Sequence, residues 1–193
     1  MKPTFFHHLT TYCSLFFVLI SLSACQPEVV KPITPVENEY ITTVQILYQN
    51  QNDEADKGEA IWCDLDNNPI THADTNLAIL HLRANAQYDL EVLFLDQTKT
   101  PADTISHEVE ERSAIHLVCI SPETAQGLIF IPTDRDTNDP ALPLGLRQRI
   151  LTDSTLADGI IRLKLKHQPS GKNGSCELGS SDADVRFRIM RTP

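Results

Sequence analysis

The segment Ile161-Arg162-Leu163-Lys164-Leu165-Lys166, answered near the C-terminus by Asp184-Val185-Arg186-Phe187-Arg188-Ile189, decides the fold class. Apolar and charged residues alternate without a break in both. Successive side chains of a strand point to opposite faces, so each segment buries one face and wets the other. The same period recurs at Leu90, Val92 and Phe94 against Asp89 and Glu91, and at Val44, Ile46 and Tyr48.

Working outward, strands are predicted over 41–48, 60–65, 77–83, 88–95, 114–120, 127–131, 145–151, 161–165 and 185–189. Polar, turn-forming residues separate them. The acidic run in 104–112 predicts at most one short, exposed helix, and 132–143 reads as a polar loop. No long 3.6-residue period lies between the strands, which excludes a parallel α/β architecture. The expectation is an all-β, immunoglobulin-like antiparallel β-sandwich of seven to nine strands, with a closed β-barrel as the runner-up.

The N-terminus carries a different signal. Lys2 is the only formal charge before Glu28, and the apolar run Leu15 to Ile20 leads into Leu22-Ser23-Ala24-Cys25. A charged start, a short apolar core and small residues before a cut site read as an export leader. The ending resembles the lipobox of bacterial lipoproteins, which implies cleavage after residue 24 and lipidation of Cys25. Several acyl chains bury far more hydrocarbon than one, so anchoring in the bilayer is expected to be stable. Gln26 stands where an aspartate retains lipoproteins at the inner membrane, which implies the outer membrane. Prolines 27, 32 and 35 make residues 25–38 an extended tether, and 39–193 a single domain.

Composition narrows the function. The formal net charge is −10, and removing the leader's one lysine makes the rest one unit more acidic. That balance argues against a nucleic-acid partner. Beyond Cys13 and Cys25, only Cys63, Cys119 and Cys176 remain. They allow one disulfide, expected between Cys63 and Cys119 because both lie in strand-like segments. Unpaired buried thiols are the alternative.

Several further elements occur together. These are Asn38-Glu39-Tyr40-Ile41-Thr42-Thr43-Val44, Thr100-Pro101-Ala102-Asp103-Thr104-Ile105, Ile115-His116-Leu117, Leu163 to Pro169, and Asp182-Ala183-Asp184-Val185-Arg186-Phe187. With the lipobox they resemble a group of small Bacteroidetes lipoproteins of unknown function. Some of these are labelled as having a type 1 periplasmic-binding domain. The resemblance implies a β-rich envelope lipoprotein and no activity. The label implies two lobes of alternating strands and helices, and this sequence has neither.

Candidate sites are sparse. His167 continues the inward phase of Ile161, Leu163 and Leu165 at a strand end, where it could bind a ligand together with His116; a histidine bonded to nearby backbone is the plainer reading. No paired Cys/His spacing or His-Glu-x-x-His supports a metal, and no cofactor is expected. His107 with Glu108 and Glu111 reads as a surface cluster. Asp134 to Asp139 alternates oxygen donors like a calcium loop, yet Asp139 stands where the turn needs glycine and Gly145 where a glutamate should close it. The serines lack a nucleophile elbow, so no catalytic residue is assigned. The basic stripe of Arg162, Lys164 and Lys166 reads as the wet face of a sheet. The expected role is non-catalytic: an anchored interaction or structural module with an envelope protein or glycan partner. The alternative is a small-ligand, metal or haem carrier in an uptake system.

Overall fold

A computed structural model describes residues 40–66 and 72–193. The leader, Cys25 and the tether lie outside the described residues. The described chain is an all-β sandwich, the expected class. It has ten strands rather than seven to nine, and two open sheets rather than a closed barrel.

The strands are β1 (Thr43–Asn50), β2 (Asp53–Cys63), β3 (Ile79–Arg83), β4 (Gln87–Asp96), β5 (Asp103–Thr104), β6 (His116–Pro122), β7 (Gln126–Pro132), β8 (Arg147–Ala157), β9 (Gly159–His167) and β10 (Ser180–Thr192). The large sheet runs β2-β1-β4-β8-β7, with β5 added to β4, and the small sheet runs β3-β10-β9-β6. All pairs are antiparallel except β3 with β10, which are parallel.

Alternation places the core as expected. Val44, Ile46, Val92 and Phe94 from the large sheet meet Ile161, Leu163, Leu165 and Phe187 from the small one, all fully buried. Burying an aliphatic or aromatic side chain contributes about 1.5–3 kcal/mol, so this shared face holds the sheets together. The outward stripe is not a free basic patch. Arg162 makes a bidentate pair with Asp184, and Arg186 does so with Glu123 at 2.7 and 2.9 Å.

The helix α1 (Ile105–Glu111) is as short as expected but only partly exposed. Ile105 and Val109, four residues apart and so on one face, pack into the core. The Ser106 hydroxyl accepts from the Phe94 N–H at 2.7 Å. The acidic composition obscured this two-residue apolar face.

Candidate functional site

His116 opens β6 and His167 closes β9, and the strand register sets them directly opposite. Both follow the inward phase, so both imidazoles turn into the end of the sandwich. Their ring centroids lie 5.0 Å apart. The two histidines singled out in the sequence are thus neighbours on adjacent strands.

A third group joins them through a break in the ladder. The pairing of β10 with β9 slips between Ser181 and Ala183, leaving Asp182 as the extra residue. A β-bulge of this kind re-aims a side chain. Here it turns Asp182 inward: its Oδ2 lies 4.0 Å from His116 Nε2 and 3.9 Å from His167 Nδ1. The side chains of His116, His167 and Asp182 are 0%, 4% and 0% exposed. One donor atom from each lies within 4.8 Å of the others, the only such His/Cys/Asp/Glu group among the described residues. Arg112, at the C-terminal end of α1, sits on the far side of His167 with Nη2 3.5 Å from Nε2.

The loop after β9 is strapped across this end of the small sheet. Cys119 bonds Cys176, with Cα atoms 6.0 Å apart, and Cys63 is free. This corrects the expected Cys63–Cys119 bridge, and strand phase gives the reason. Cys119 shares the outward face with Lys164 and Lys166, so it meets only chain crossing that face. Cys63 ends β2 on the other sheet, near the Thr43 hydroxyl. The Gln168 amide donates to the carbonyls of Ser175 and Leu178 at 2.7 and 3.0 Å. Lys166 Nζ donates to Gly179 O at 2.8 Å. Gly179 has a φ of +76°, and a Cβ there would stand 2.1 Å from His167 O. Only glycine lets the loop return this close to the strand end.

Lys172 from the same loop reaches inward. Its Nζ lies 2.9 Å from Asp136 Oδ2 and donates to Ser113 O at 3.1 Å, with both charged side chains fully buried. Asp136 also accepts from the N–H groups of Asn138 and Leu142. Burial would raise its pKa, but Lys172 and these amides outweigh that and hold the carboxyl below its usual range. Asp134 likewise accepts from the N–H groups of Gly145 and Arg147. The segment that resembled a calcium loop therefore spends these two carboxylates on backbone and lysine. His107, Glu108 and Glu111 are exposed along α1.

A second feature lies on the outer face of the large sheet, and periodicity alone gave no sign of it. A cleft of about 690 Å³ crosses β2, β1, β4 and β8. The register sets Glu59, Leu47, Glu91 and Arg147 in one cross-strand row, and Lys57, Gln49, Asp89 and Arg149 in the next. Arg147 approaches Glu91 at 4.0 Å and Glu110 at 3.3 Å, with about half of each side chain exposed. The one aromatic residue in the lining, Tyr48, uses its hydroxyl elsewhere, 3.0 Å from the His81 N–H.

Comparison of the chain with family models, with curated proteins and with solved structures finds no match in any of the three. No helix among the described residues is long and apolar enough to cross a membrane.

Proposed function

We propose that the protein is a lipoprotein of the bacterial outer membrane, anchored through Cys25, whose β-sandwich holds a protein partner without performing chemistry on it. The observation that carries this reading is the cleft on the large sheet. It is long enough to cross four strands and lined by charges of both signs over a Leu47 floor. Such a surface suits a polypeptide of mixed charge, because opposite charges on the partner meet opposite charges here. A glycan partner is supported less well, since the lining offers no exposed aromatic ring for a sugar to stack on. The carrier alternative draws on His116 and His167. It suits a bare ion rather than haem, because buried rings 5.0 Å apart leave no space for a porphyrin between them.

The test is photo-crosslinking in living cells of the host, with the photoreactive residue at Gln49 in the cleft or at Arg188 on the other sheet. The expected result is one discrete protein adduct from Gln49 and none from Arg188, lost when Glu91→Lys and Arg147→Glu are combined. No adduct, or equal adducts from both positions, would refute the reading, and a glycan-only adduct would replace the partner class.

A further inference from the structure

We infer that His116, His167 and Asp182 form a binding site for one divalent transition-metal ion inside the end of the small sheet. The donor set suits the role. Two imidazoles and a carboxylate are ligands favoured by zinc and its neighbours, and disfavoured by calcium or magnesium, which prefer oxygen.

The geometry is close to what an ion needs. A tetrahedral ion with ligands at about 2.0–2.1 Å has ligand-to-ligand edges of about 3.3 Å. Asp182 Oδ2 stands 3.9 and 4.0 Å from the two imidazole nitrogens, so each of these edges must close by roughly 0.6 Å. The donors all lie within 4.8 Å of one another, so the edge between the two imidazoles closes by at most about 1.5 Å. The donors come from β6, β9 and β10, three adjacent members of one sheet, so the backbone already fixes their approach.

Position on His167 matters as well. Nδ1 faces Asp182, while Arg112 approaches Nε2 from the opposite side. Coordination through Nδ1 leaves the neutral ring's one proton on Nε2. Arg112, a donor only, must then give up its approach to Nε2. The three ligand side chains are almost wholly buried. The ion therefore enters as the chain folds and stays, clipping together β6, β9 and β10 beneath the disulfide-strapped loop. Three protein ligands leave the fourth position of a tetrahedral ion to water, and the site is separate from the cleft on the large sheet.

The experiment uses the full chain in detergent. The protein is unfolded in guanidinium with its disulfide intact, stripped with a chelator, and refolded with one equivalent of Zn²⁺. Dialysis and elemental analysis follow. The expected result is about one zinc retained per chain, with affinity lowered at least about tenfold in Asp182→Asn and in His167→Gln, and unchanged in the exposed control His107→Ala. No retained zinc would overturn the inference, as would retention that these substitutions leave unaltered. Should either variant fail to refold, ¹⁵N NMR of the wild-type imidazoles decides. Zinc must shift His116 Nε2 and His167 Nδ1 as coordinated nitrogens, and unchanged resonances would overturn the site.

Discussion

The hydroxyls of Tyr48 and Tyr88 cap the same edge of β3 two residues apart, Tyr48 accepting from the His81 N–H at 3.0 Å and Tyr88 from the Arg83 N–H at 2.9 Å. The rings pack edge to face with centroids 6.1 Å apart. Alternate N–H groups of a strand point to the same side, and β3 pairs with β10 only on its other side. The two tyrosines, both from the large sheet, therefore satisfy donors that an open edge would leave bare, and stitch the sheets together. Gly58 makes room for this, since a Cβ there would stand 2.5 Å from the Tyr48 hydroxyl oxygen.

Tyr88 also donates to Asp56 Oδ2 at 2.8 Å. Tyr88→Phe should cost about 1–3 kcal/mol, the penalty for a polar partner left without its hydrogen bond, measured by chemical denaturation. Burial, joined by the Asp56 carboxylate and opposed by the Arg83 amide, pushes the Tyr88 pKa up to about 12. The unfolded chain ionises this phenol near 10.0, the ordinary value for tyrosine, while the folded chain does not. Stability from this group is thus full below that pH and declines between there and about 12. The phenylalanine variant should show a shallower alkaline decline.

The Cys119–Cys176 bridge closes a loop with a sequence separation of 57. Chain entropy assigns such a crosslink about 4 kcal/mol. Cys176→Ser should lower stability towards that amount, whereas Cys63→Ser should change it by less than about 0.5 kcal/mol. Alkylation of the unfolded, unreduced chain should label Cys63 and spare Cys119 and Cys176. Labelling of Cys176 would disprove the pairing.

Lys172→Met leaves Asp136 buried without its cation. Removing one partner of a buried ion pair costs about 3–5 kcal/mol, and Lys172→Met with Asp136→Asn should recover much of it. Because the Asp136 pKa is lowered in the folded chain, its contribution is present above the ordinary aspartate value and lost as pH falls through the folded one. Denaturation curves of wild type and double variant should converge in acid.

Cys25→Ala should abolish metabolic acyl labelling and move the protein out of the detergent-rich membrane fraction. Retained labelling would disprove lipidation at that position.

The sandwich was legible because its strands follow a period of two almost throughout: Ile161 to Lys166 and Val185 to Ile189 assign their own faces. That phase carried far enough to bring His116 and His167 together. Asp182 was not legible, since it faces inward only because the ladder slips by one residue, and a slip leaves no mark in the alternation. The disulfide failed as an expectation for a related reason. Two cysteines in strands say nothing about whether they share a sheet, and here Cys63 and Cys119 do not. The cleft is lined by side-chain rows contributed by four strands, which no single segment reveals.

The last of the described strands in chain order, β10, is an interior member of its sheet, lying between β3 and β9. Until Ser180–Thr192 is made, β3 has no ladder partner in that sheet and the core lacks Phe187 and Ile189. Non-local pairing of this kind is slow, because the intervening chain must be ordered first. The architecture thus withholds completion of the small sheet until β10 has been made. The same dependence makes β10 decisive for folding, since a chain interrupted before Ser180 lacks the strand that joins β3 to β9.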